Sequence, residues 1–133
     1  ARVGIAYAGA DIIKLMDKTK PPYNVSKFNQ EEALNALSKP VKFQQRLDII
    51  LEQRNLLLNE FKLLPIIKKV YPTDANFILV KVKDAGKLYN YLVSKKLIVR
   101  NRSSVVSECI RITVGTPKEN EALIEALKKY KED

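Results

Sequence analysis

The chain has 133 residues, enough for one domain with a useful core, and its 24 Lys and Arg against 15 Asp and Glu give a formal charge of +9. It has no histidine, a single cysteine and four glycines outside any Gly-rich loop. This excludes imidazole acid–base chemistry, intrachain disulfides, thiolate metal cages and phosphate cradles of the P-loop or dinucleotide type. The basic excess is lysine scattered along the chain rather than a dense run, which describes a solvated surface better than a nucleic-acid tail. No apolar run approaches the ~20 residues of a membrane span and no signal peptide is visible, so no membrane partner and a cytoplasmic location are expected.

In chain order, Arg2 to Ala8 is apolar on both faces apart from Arg2 and reads as the middle of a buried strand, an opening expected of a piece of a longer protein. Gly9-Ala10-Asp11 then leads into a short helix that Pro21-Pro22 stops. Ser26 is placed to cap a second helix. A long third helix begins at Ser38-Lys39-Pro40 and runs to about Leu64, before Pro65. Its stripe of Phe43, Leu47, Ile50, Leu51, Leu57, Leu58 and Phe61 follows helical spacing, and its length of roughly 37 Å suits a bridge between two bodies.

Beyond Pro65 the pattern shortens. Strands are expected at Ile66 to Tyr71, Asn76 to Val82, Leu97 to Arg100 and Cys109 to Val114. A helix capped by Asp84 runs from Ala85 to about Lys95. The last helix carries the clearest local signal: Thr116 as N-cap, Pro117 in the first position and Glu119 in the third make a capping box. The order strand, strand, helix, strand, strand, helix predicts an α+β fold, a small, mostly antiparallel sheet with helices packed on one face. In the strand Cys109 to Val114, Ile110, Ile112 and Val114 share one face and Cys109, Arg111 and Thr113 the other. Cys109 reads as a small buried side chain. Pattern alone favours Arg111 as a surface arginine beside an acidic neighbour, although a mid-strand guanidinium is also a fork shaped for carboxylate or phosphate.

Five stretches in order, Arg2 to Ala8, Lys20 to Ser26, Ala75 to Val80, Ile98 to Ser103 and Cys109 to Pro117, resemble the C-terminal part of histidinol-phosphate aminotransferases. These are pyridoxal-phosphate enzymes of the aspartate-aminotransferase fold. The resemblance implies that residues 1–37 are the tail of a large cofactor-binding domain, 38–65 the long bridging helix and 66–133 the small α+β domain. It implies that Arg2 holds the phosphate of pyridoxal 5'-phosphate, and that Arg111 grips the α-carboxylate of glutamate or 2-oxoglutarate. Arg100 would meet the phosphate of histidinol phosphate. The Schiff-base lysine would lie upstream of Arg2, leaving no catalytic residue in this chain and no activity in the chain alone. The whole enzyme would be a cytoplasmic homodimer.

Three departures from the family pattern stand out: Lys95-Lys96 where a glycine usually provides a left-handed turn, Asn101 where an aspartate often stands, and a nondescript loop from Ser103 to Glu108. The last two leave a related aminotransferase for aromatic or other amino acids as an alternative. The reading from another class is a basic nucleic-acid-binding α+β module using Arg100, Arg102 and Arg111. No paired aromatics are available to stack bases, Phe77 standing alone, so no nucleic-acid partner is expected.

Overall fold

The computed structural model describes residues 3–22 and 24–131. The chain divides into two compact units, Ala1–Gln45 and Arg46–Asp133. The first unit contains α1 (Ala10–Thr19), α2 (Lys27–Leu37) and the start of α3 (Pro40–Leu63). Ser26 caps α2 as expected, its hydroxyl accepting from the Asn29 N–H at 3.3 Å. Neither α1 nor α2 buries a residue.

The strand expected at Arg2 to Ala8 is not formed: residues 3–9 have no regular structure, and Arg2 lies outside the described residues. Extended backbone becomes a strand only by exchanging hydrogen bonds with a neighbour, and no described strand pairs with this stretch. The long helix ends where Pro65 requires, but only part of its stripe is buried. Leu57 and Phe61 are fully enclosed, whereas Phe43 is 63% exposed. Helical periodicity marks the face; what covers it comes from other elements, and Ile50, Leu57, Leu58 and Phe61 are the stripe residues that pack in the core.

The second unit holds β1 (Ile67–Val70), β2 (Phe77–Val82), α4 (Ala85–Ser94), β3 (Arg100–Asn101), β4 (Cys109–Thr113) and α5 (Pro117–Lys129). The four strands form one antiparallel sheet in the order β1-β2-β4-β3. Register follows the alternation: Ile78 faces Ile112 and Val80 faces Ile110, so the apolar residues of both central strands share one face. That face and Leu57, Phe61, Leu88, Leu92, Leu123 and Leu127 from the three helices make one continuous core.

The strand expected from Leu97 to Arg100 starts late. The end of α4 closes with two hydrogen bonds, Lys96 N–H to the Val93 carbonyl and Leu97 N–H to the Leu92 carbonyl, both 2.9 Å. Leu97 is thereby committed to the helix end, and ladder pairing begins only at Arg100. The turn needs a left-handed residue, and Lys96 provides it at φ 62°. The capping box of α5 is complete: the Glu119 carboxylate accepts from Thr116 N–H at 2.7 Å while the Thr116 hydroxyl accepts from Glu119 N–H. The Thr116 N–H and, at 2.8 Å, the Thr116 hydroxyl both donate to the Glu119 carboxylate and hold it below its usual range, the backbone bond contributing most.

Candidate functional site

The outer face of the sheet gathers the positive charge. Arg111 on β4 stands directly opposite Arg100 on β3, with Leu79 of β2 on its other side. Lys69 and Lys81 face each other across β1 and β2. Like charges directly opposed on an antiparallel ladder repel. Among the described residues no carboxylate forms an ion pair with Arg100 or Arg111. The expected acidic neighbour of Arg111 is therefore absent from the described residues, because the strands on either side offer it leucine and arginine.

Arg111 is half-buried, and its Nε is enclosed without a hydrogen-bond partner. Burying a charged donor unpaired is costly unless something arrives to pair with it. Its guanidinium carbon lies 5.0 Å from the centre of the Phe77 ring. Phe77 pairs with Thr113, two residues along β4, which places its ring on the diagonal to Arg111. Arg100 is exposed.

The loop after β3 has more order than its composition suggests. The Asn101 side-chain oxygen accepts from the Ser103 N–H at 2.9 Å, and the Arg102 carbonyl accepts from Val105 and Val106. Asparagine and aspartate accept that bond equally well, so Asn101 preserves the turn while placing no negative charge beside Arg100. Cys109 is buried as expected, on the same face as Arg111, and its thiol donates to the Ser107 carbonyl at 3.4 Å. Burial pushes the Tyr71 hydroxyl above its ordinary pKa, and the neighbouring Cys109 adds to the shift.

Three supporting residues escape a reading of the sequence. Glu108, at φ 55°, turns its carboxylate to accept the first free N–H of α4, at Ala85, at 2.7 Å. Asn120 is buried and binds Gly115 N–H, Gly115 carbonyl and Gln53 Oε1, each at 3.0 Å, tying α3 and α5 to the end of β4. Arg54 of α3 donates to the Ala75 carbonyl in the turn before Phe77. Phe77 itself had a signal: an aromatic on the less apolar face of β2, in phase with Leu79 and Lys81. A cavity of about 350 Å³ lies between Leu97–Val99, Gly115 and α5, and neither Arg100 nor Arg111 lines it. Its polar lining is Lys96, Thr113 and residues already engaged in capping and in the Asn120 network.

The model of the family "Aminotransferase class I and II" matches residues 1–127. Histidinol-phosphate aminotransferase from Flavobacterium psychrophilum is 45% identical over 129 residues, which is 96% of this chain and 37% of that protein. The enzyme of the same name from Parabacteroides distasonis is 45% identical over 98% of this chain and 38% of its own length. The chain thus spans little more than a third of the curated relatives it matches. Among solved structures, histidinol-phosphate aminotransferase from Clostridium acetobutylicum aligns at a TM-score of 0.78 and 24% identity, over 89% of this chain and 37% of that one. L-threonine-O-3-phosphate decarboxylase from Porphyromonas gingivalis aligns at 0.70 and 22%, over 91% of this chain and 39% of that one. The two carry different names, and likeness at this identity speaks for the fold alone.

Proposed function

From a chain that belongs to the class I and II aminotransferases, we propose a contribution to a histidinol-phosphate aminotransferase, which moves an amino group between glutamate and imidazole acetol phosphate in histidine biosynthesis. Relatives of that name at 45% identity over nearly the whole chain support the choice of reaction. The observation that carries the site is the pair of opposed arginines, Arg100 and Arg111, with no ion-paired carboxylate among the described residues. Arg111 binds the α-carboxylate shared by glutamate and 2-oxoglutarate through the fork of its guanidinium. Arg100, more open, meets the phosphate of the other substrate. Two unlike amino donors use one site in turn, and a guanidinium accepts carboxylate and phosphate in the same two-pronged manner.

The cofactor of this reading is pyridoxal 5'-phosphate, which supplies an electron sink when bound. Arg2, assigned to the contact with its phosphate, lies outside the described residues. What the described residues do is orient the substrate's anions. In the same reading the domain division is 1–37, 38–65 and 66–133, and the whole enzyme is a cytoplasmic homodimer.

The test is made on the full-length enzyme. Arg111→Ala is expected to raise KM for glutamate and 2-oxoglutarate by about thirtyfold or more, the equivalent of losing a buried charged contact. Arg100→Ala is expected to harm histidinol phosphate more than glutamate. An Arg111→Ala enzyme with unchanged KM values would make Arg111 structural only, and equal losses for both donors would end the division of labour. Preference for aromatic amino acids over histidinol phosphate would move the substrate assignment to a related aminotransferase.

A further inference from the structure

We propose that Phe77 is the positioning residue of the Arg111 clamp: the face of its ring, instead of an acid, holds the guanidinium in place for an incoming carboxylate. The inference rests on reading Arg111 as that clamp. An arginine side chain is long and loses rotamer freedom when fixed, so a clamp that binds well must be held before the substrate arrives. The usual holder is a carboxylate, but a carboxylate would occupy the same N–H donors that the substrate needs. An aromatic face attracts the cation through its ring quadrupole and leaves N–H donors uncommitted. Arg111 has that arrangement, with its guanidinium carbon 5.0 Å from the Phe77 ring centre and, among the described residues, no carboxylate ion-paired to it.

The ring is itself well fixed. The Thr73 hydroxyl accepts from Ala75 N–H at 3.1 Å and donates to the Phe77 carbonyl at 2.8 Å. Arg54 holds the Ala75 carbonyl at 3.2 Å, and Val114 N–H donates to the Asn76 carbonyl at 2.9 Å. The turn leading into Phe77 is therefore fastened to α3 on one side and to the end of β4 on the other. Apolar cover alone would not require an aromatic here, since Leu79 already lies directly opposite Arg111.

The experiment compares Phe77→Leu, Phe77→Tyr and a series with one to five fluorines on the Phe77 ring, all in the full-length enzyme. Leucine keeps most of the bulk without the quadrupole, tyrosine keeps the ring face, and fluorination drains the ring's negative face at nearly constant shape. Phe77→Leu is expected to raise KM for glutamate and 2-oxoglutarate about 3- to 30-fold, with a smaller effect on kcat, and Phe77→Tyr to restore it. KM is expected to climb with fluorine number. If Arg111→Ala raises KM steeply while Phe77→Leu and the fluorinated series leave it unchanged, Phe77 is packing only and the proposal fails. If Arg111→Ala is itself silent, the clamp reading fails first. A lowered melting temperature with kcat and KM both impaired and no rescue by tyrosine would also overturn the proposal. Should Phe77→Leu not fold, the fluorinated series decides.

Discussion

Lys96 and Glu108 are the non-glycine residues found in left-handed backbone among the described residues, at φ 62° and 55°, and the two have opposite grounds for being there. Each carries a Cβ against the following carbonyl, at a cost of about 1–2 kcal/mol. At Lys96 the closing bonds of α4 use only backbone, so glycine would make the same turn without strain. Lys96→Gly is expected to raise stability by about 1 kcal/mol, read as a higher urea midpoint at unchanged slope. Glu108 offsets its strain by accepting the Ala85 N–H, a charged bond at a helix start. Glu108→Gly is expected to lower the midpoint, since a bond of that kind is worth about 1.5–3 kcal/mol. The departure at Lys96 was legible as a missing glycine. Glu108 was not, because its partner lies 23 residues away and only the folded sheet brings them together.

At the scale of elements, local chemistry explains what the sequence foretold and where it erred. The α5 start was legible in full because Thr116, Pro117 and Glu119 act within one turn. Its pH response follows from the lowered Glu119 pKa. A carboxyl with a lower pKa folded than unfolded adds stability above its unfolded value, and that contribution fades as pH falls through the folded one. Acid titration of the melting temperature is therefore expected to show a component below the ordinary carboxylate range that Glu119→Gln removes. An unchanged acid limb in that variant would mean the capping box does not contribute through charge. β3 was misplaced because the end of α4 consumes Leu97, a competition between helix closure and strand pairing that alternation does not reveal. The face of Arg111 was visible as alternation. Its pairing with Arg100 and its place beside the Phe77 ring required the register.

For the whole molecule, burial divides the chain unequally. Every residue of the core cluster comes from Leu57 onwards, whereas α1 and α2 enclose nothing, with Phe28 69% and Leu34 68% exposed. A helix of 10 or 11 residues has little stability in water without a packed face. In the 133-residue chain, amide exchange is expected to be slow across β2, β4, α4 and α5 and fast across α1 and α2. Equal protection in both regions would show that α1 and α2 are held by something beyond the packing described. The core was legible because periodicities of two and about 3.6 mark which residues turn inward. Which stripes then find a cover depends on neighbours that a stripe does not encode, and the exposed Phe43 shows the difference.

Two opposed arginines with no ion-paired carboxylate among the described residues do not distinguish a substrate from a salt. On the proposed reading, sulfate, inorganic phosphate and simple dicarboxylates compete for the forks of Arg100 and Arg111, so the choice of assay buffer becomes part of the measured affinity. Apparent KM values in phosphate buffer should exceed those in a zwitterionic buffer of equal ionic strength, by a factor that grows with phosphate concentration. Cellular phosphate would then act as a standing competitor, coupling the enzyme's demand for glutamate to the anion composition of its surroundings.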